Sequence, residues 1–159
     1  MLESENIVLR PLLKSDFDFL ERIENNEENW QFGSERKQFN TQQLFSYIEN
    51  SGTDITISKQ YRFVVDLNSV PIGFIDLFDY TTTSAGVGVI ISKGYRNKGF
   101  AKEALNLLVD YAFNFIKLRK LHCSINTDNL ASIRLFHSCG FQLLRQKEEL
   151  RYFIKLAKN

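Results

Sequence analysis

Gly94, Tyr95, Arg96, Asn97, Lys98, Gly99, Phe100 and Ala101 form the stretch of this chain best suited to chemistry. They join an apolar, mostly β-branched run at 87–91 to a segment in which Ala101, Ala104, Leu105, Leu108 and Ala112 recur at helical spacing. Lys102, Glu103, Asn106, Asp110, Asn114 and Lys117 fill the opposite face, so the periodicity predicts a helix from about Asn97 to Lys117. A helix N-terminus offers backbone N–H groups without intrahelical partners and the positive end of a dipole, both suited to an anion such as pyrophosphate. Gly99 lets the backbone come close, Arg96 and Lys98 add positive charge, and Ala101 keeps the first turn slim. A glycine in a basic loop before a helix is also an ordinary connection, so this pattern needs a second signal.

That signal lies further along. Residues 120–126 read as a short strand, Asp128 is a candidate N-cap, and a shorter helix follows with Ile133 and Phe136 on its buried face. Gly140 suits the left-handed position just past its end. Asn129, Ser132, Leu135, Phe136, Gly140 and Phe141 stand in the pattern Asn-x-x-Ser-x-x-Leu-Phe-x-x-x-Gly-Phe. With both signals in this order, the sequence resembles the GNAT superfamily of N-acetyltransferases, which transfer an acetyl group from acetyl-CoA to an amine. That family's cradle, Arg or Gln, x, x, Gly, x, Gly or Ala, is matched by Arg96, Gly99 and Ala101. The block from Asn129 to Phe141 matches its other cofactor-side element, and residues 61–65 and 72–76 look like its central hairpin. The opening run at 6–12 and the Glu/Asn-rich stretch ending at Trp30 are closest in look to the branch of bacterial polyamine and ribosomal-protein N-terminal acetyltransferases.

The resemblance implies a set of roles. Backbone amides of Arg96, Asn97, Lys98, Gly99, Phe100 and Ala101 would hold the pyrophosphate, the strand at Val89, Ile90 and Ile91 would bond the pantetheine arm, and a backbone N–H near Ile90 would polarise the thioester. Asn129 would bond the arm as well, or serve only as a helix cap. Two departures bear on catalysis. Phe136 stands where many relatives place a proton-donating Tyr, which leaves water or a hydroxyl such as Ser132, with Phe136 lining the thioester pocket. The strand ahead of the cradle reads Ala85-Gly86-Val87-Gly88 where a Glu is frequent, so Asp76 and Asp79 on the neighbouring strand are the remaining carboxylates to accept an amine proton. Glu27, Glu28 and Trp30 would border the acceptor by charge and by the indole face. His137 is expected at the surface and Cys139 in packing.

These residues must be positioned by one domain, since 159 residues bury a proper core without room for a second. The expected architecture is an α/β (mixed α+β) sandwich in the order β, α, α, β, β, β, α, β, α, β, β, with a mixed sheet that splays at the acetyl-CoA site. A first strand is expected at 7–12, a helix capped by Ser15 carrying Phe17, Leu20 and Ile23, a second helix at 41–50, a hairpin turning at Asn68-Ser69, and a last hairpin around 147–149. The last hairpin offers an edge for a homodimer. Net charge is +1, which argues against affinity built on nucleic-acid phosphates. Its distribution is uneven: Asp16, Asp18, Glu21, Glu24, Glu27, Glu28 and Glu35 face only Arg22, whereas Lys93, Arg96, Lys98 and Lys102 cluster at the cradle. One end suits a cation and the other a polyanion, although an acidic run is also an ordinary solvated helix face.

The two Cys read as reduced small hydrophobes with no metal-ligand spacing, no leader or spanning segment is visible, and the expected setting is cytoplasmic, away from membranes. The expected acceptor is therefore a polyamine-like small amine or a peptide N-terminus, with acetyl-CoA as donor and no metal. A catalytically silent acyl-CoA-binding module is the alternative. A mononucleotide fold lacks its third glycine, because Gly86-x-Gly88 stops short.

Overall fold

A computed structural model describes residues 1–32 and 38–158, with the backbone alone at 30–32. Strands β1 (Leu2–Glu3), β2 (Val8–Pro11), β3 (Tyr61–Leu67), β4 (Val70–Phe78), β5 (Ser84–Ile91), β6 (Lys120–Asn126), β7 (Gln142–Lys147) and β8 (Leu150–Leu156) form one sheet. Their order is β1-β2-β3-β4-β5-β6-β8-β7, and every neighbouring pair is antiparallel except β5 and β6. Helices α1 (Phe17–Glu24) and α2 (Thr41–Asn50) cover one face, and α4 (Phe100–Asp110) and α5 (Leu130–Ser138) the other. The mixed α/β sandwich expected from the sequence is present, with β1 and a single turn α3 (Ile55–Ser58) added.

Side chains alternate across the sheet and sort into two cores. Val64, Phe74 and Ile90 pack with Leu20 and Ile23 of α1 and Leu44 and Ile48 of α2. Phe63, Val65, Ile75, Leu77, Val87, Leu121 and Cys123 pack with Ala104, Leu105 and Leu108 of α4 and Phe136 of α5. The β3–β4 hairpin turns at Asn68 and Ser69, both at positive φ, as a two-residue turn that follows the sheet twist requires. A bulge between Val65 and Asp66 then shifts the register by one residue, which sets Arg62 opposite Asp76.

Several boundaries differ from expectation for local reasons. The long helix starts at Phe100 rather than Asn97, because Asn97 (φ 62°) and Gly99 (φ 86°) are left-handed. Its last stretch, Tyr111–Phe115, widens to π geometry, with the Ile116 amide donating to Tyr111 at 3.0 Å. The widened turn stacks Tyr111 on Phe115 and sets Tyr111 edge-on to Phe63. The first helix is preceded by a 3-10 turn, and its start is fixed by Asp16 rather than Ser15. Asp16 is 2% exposed, accepts two hydrogen bonds from the Arg10 guanidinium at 2.8 Å, and accepts another from the Leu13 amide at 2.8 Å. Burial opposes its charge, but Arg10 and the Leu13 amide prevail and hold the carboxyl below the usual range. Among the described residues no helix is long and apolar enough to cross a membrane.

Candidate active site

Strands β5 and β6 pair only at Ser84 with Lys120, Ala85 with Leu121 and Gly86 with His122. Beyond Gly86 they part, and the gap opens a cavity of about 890 Å³ lined by residues 87–90 on one side and 123–126 on the other. The cavity reaches both faces of the sheet. Asn129, Ser132 and Phe136 of α5 border it on one, and Leu20, Glu24, Leu44 and Tyr47 of α1 and α2 on the other.

The hydrogen-bond phase of β5 determines what the gap offers. Ser92 donates its amide to Ile72, and the Ile91 carbonyl accepts from Arg96 Nε at 2.7 Å instead of pairing with β4. In a regular antiparallel pair such groups alternate, so the peptide groups of Val87, Val89 and Ile91 turn toward β6 and those of Gly88 and Ile90 toward β4. With β6 gone, Val89 presents an N–H and a C=O to an extended ligand. The free amide is therefore one residue from the Ile90 position expected from the sequence, and Ile90 instead packs against the α1/α2 core.

In the turn between β5 and α4, the amides of Asn97, Lys98, Gly99, Phe100 and Ala101 have no hydrogen-bond partner among the described residues. An added Cβ at Gly99 would meet nothing within 4 Å, so the turn faces open space. Unpaired amides ahead of a helix are an arrangement that can hold an anion. Arg96 departs from its expected role: its amide donates to Lys93, and its guanidinium donates to Ile91 and to Asn29 Oδ1 at 3.3 Å. It braces the cradle against the 3-10 segment Glu27–Phe32, in which Asn29 is 4% exposed and donates to the Ile23 carbonyl.

The α1/α2 side of the cavity is charged. Arg62 forms a close ion pair with Glu24, its guanidinium lying 5.4 Å from the Tyr47 ring centroid and 5.1 Å from that of Phe74. Its buried Nε has no hydrogen-bond partner among the described residues. The Asp76 carboxylate, facing Arg62 across the hairpin, has no hydrogen-bond partner among the described residues. Its Oδ1 would lie 3.0 Å from a Cβ at Gly88, so the glycine makes room for the carboxylate. Burial pushes the Asp76 carboxyl up, Arg62 draws it down, and Glu24 adds to the rise, leaving it above the ordinary range. Asp79 borders the cavity from an exposed turn. Glu27 and Glu28 are exposed and are not among the residues that line it. The Trp30 side chain and Glu35 lie outside the described residues. The sequence pattern singles out neither Tyr47 nor Arg62 for this site, and Glu24 only as one member of the acidic run, although it follows Leu20 at helical spacing.

On the α5 side, Asn129 Oδ1 accepts from the Ser132 amide at 3.2 Å, so it caps the helix, while its Nδ2 remains available to the cavity. Phe136 is 3% exposed and packs edge-on against Phe141 at 5.0 Å, forming part of the wall. His137 is exposed and Cys139 buried, as expected. Burial pushes the Cys123 thiol up to about 12, which keeps it protonated and inert at the cavity edge.

The splayed parallel pair belongs to the open mixed sheet that the resemblance implied. The family model for the acetyltransferase (GNAT) domain matches residues 6–142. The chain belongs to this family. As an N-acetyltransferase it is similar to the spermidine N(1)-acetyltransferase of Vibrio cholerae, 27% identical over 141 residues that cover 87% of this chain and 80% of that protein. The spermidine N(1)-acetyltransferase of Escherichia coli K12 is 26% identical over 145 residues, 90% of this chain and 76% of that one. The crystal structure of the Vibrio cholerae spermidine N-acetyltransferase with CoA and spermine superposes with a TM-score of 0.84 at 23% identity, over 96% of each chain. This acetyltransferase therefore carries the family's open sheet.

Proposed function

We propose that this acetyltransferase uses acetyl-CoA to acetylate a primary amine of a cationic, polyamine-like molecule. The observation that carries the reading is one cavity crossing the sheet, with Glu24, Asp76 and Asp79 on its α1/α2 side, in a fold whose β5 runs on into a turn with unpartnered amides at 97–101. Its similarity to spermidine N(1)-acetyltransferases supports the same acceptor class. The residues fit the donor. The amides of 97–101 hold the pyrophosphate with Lys98 beside them, Val89 pairs with the pantetheine arm, and Asn129 Nδ2 donates to one of its carbonyls. Asp76, with Asp79 at the rim, holds the incoming ammonium, and Val89 N–H polarises the thioester carbonyl. A peptide N-terminus, with a single charge, gains less from these carboxylates than a polyamine does.

Release of free thiol from acetyl-CoA in the presence of spermidine, a neutral amine, an amino acid and a short peptide tests this. Spermidine should give the highest kcat/KM, and that preference should shrink as added salt shortens the Debye length from about 10 Å at 0.1 M toward about 3 Å at 1 M. Equal rates with cationic and neutral amines would remove the acidic end from substrate choice. Coenzyme A binding without thiol release from any amine would favour a silent binding module.

Phe136 does not donate a proton, so Phe136→Tyr should keep or raise turnover, the added hydroxyl entering a cavity already bordered by Ser132. A loss beyond about tenfold, roughly 1.4 kcal/mol in barrier, would show that the thioester needs an apolar wall there.

A further inference from the structure

His122 is the last residue of β6 that pairs with β5, opposite Gly86, at the apex where the two strands part. Its side chain alternates onto the α1/α2 face, the face of Asp76 and Phe78, and borders the cavity. The imidazole meets the Phe78 ring edge-on, centroids 6.3 Å apart at 86°, across a strand with no side chain at position 86. A Cβ at Gly86 would come within 2.4 Å of the Phe78 ring, so the glycine keeps this contact open. Among the described residues neither imidazole nitrogen has a hydrogen-bond partner.

The charges around the ring are few. Lys120 lies two residues away on its own strand and Asp79 on the β4–β5 turn, Gly86 on β5 and Ile154 on β8 bring none, and Asp76, Glu24 and Arg62 line the same cavity. Burial lowers the imidazole pKa, Lys120 lowers it further, and Asp79 opposes them; the net shift is downward from the ordinary value. The ring is therefore neutral at pH 7, with a nitrogen lone pair free to accept.

We propose that His122 is the proton acceptor of the transfer. The inference rests on the reading of the site as an amine acetyltransferase. The acceptor enters as an ammonium and gives one proton to the imidazole. The freed nitrogen pair attacks the thioester carbonyl carbon, the C–S bond breaks with its electrons passing to sulfur, and the second nitrogen-bound proton goes through water to that thiolate. The imidazolium returns its proton to solvent, so one amide, one thiol and one proton are formed. Asp76 is placed as the anchor instead, because its carboxyl faces Arg62, which favours the charged form, although burial leaves its pKa above the ordinary value. It anchors the ammonium from the other side of β5.

The test compares His122→Gln, His122→Ala and Asp76→Asn with the unaltered chain, using acetyl-CoA and spermidine with the amine panel. His122→Gln should lower kcat/KM by about 100-fold or more, the usual scale of general base catalysis, while calorimetric CoA affinity stays unchanged. The wild-type pH–rate profile should rise through a midpoint below about 6.5, the same midpoint as an NMR titration of the His122 ring, and His122→Gln should lose that rise. Asp76→Asn should raise KM yet keep it, and added imidazole should restore part of the His122→Ala rate. A His122→Gln enzyme with an unaltered rate and profile, or a ring midpoint apart from the kinetic one, overturns the assignment alone. A wild-type chain that releases no thiol with any amine overturns the assignment and the functional reading together.

Discussion

Gly99→Glu should bind coenzyme A at least about 100-fold more weakly, a loss of about 2.7 kcal/mol, in a protein that still folds. Two effects act together. The carboxylate enters open space in the turn that carries the amides of 97–101, where it repels phosphate and competes for their N–H groups. A side chain at φ 86° also strains the turn by about 1–2 kcal/mol, which falls on folding and on the alignment of those amides. Gly94→Glu is the control, because Gly94 lies exposed in the same loop with open space around it but without a left-handed φ. It brings the same charge without the same placement and should weaken binding by only a few-fold. Calorimetry decides: equal losses in the two variants would reduce the cradle to general electrostatics, and unchanged affinity in folded Gly99→Glu would put the phosphates elsewhere.

Arg62→Ala should cost about 3–5 kcal/mol of stability, because it leaves Glu24 buried beside Asp76 without the cation between them. The guanidinium also fills the space between the Tyr47 and Phe74 rings, so packing is lost with the charge. The pH dependence has a definite sign. Asp76 has its folded pKa raised above the unfolded value, so the folded state binds more protons there and stability falls as pH rises through that window. Arg62 draws that pKa down in the native protein, so its removal raises it further and steepens the fall. The deficit of the variant should be smaller at pH 5 than at pH 7.5 in urea denaturation. A deficit under about 1 kcal/mol at pH 7.5, the scale of an exposed ion pair, would mean that the cluster is solvated rather than built into the fold.

The cofactor end of this site is written in consecutive residues and is legible for that reason. A glycine-bearing turn, the helix after it and the capped α5 are local features, and their spacing survives whatever the rest of the chain does. The acceptor end is assembled from strands distant in sequence. Arg62 meets Asp76 only because a bulge shifts the β3–β4 register by one residue, and no composition or periodicity signals that shift. The acidic run drew attention to Glu27 and Glu28, which are exposed, whereas the buried Glu24 at the end of α1 is the acid that reaches the cavity. His122 reads as one polar residue in an alternating strand until its position at the apex of the splay is known. The sheet order is similar: two expected final strands do not announce that β8 lies between β6 and β7.

Gly86 and Gly88 carry a consequence for how this sequence can change. Each leaves a slot on β5 that a neighbouring strand fills, Phe78 at one and the Asp76 carboxylate at the other. Position 88 is therefore not free to acquire a carboxylate of its own while Asp76 remains, since the two would compete for one volume and repel in it. The pair behaves as a single locus with two addresses. A lineage that moves the acid from β4 to β5 must pass through a chain bearing both or neither, and either intermediate is handicapped. Substitutions at 76 and 88 are thus epistatic, and tolerance measured one position at a time will understate the range of sequences that this site accepts.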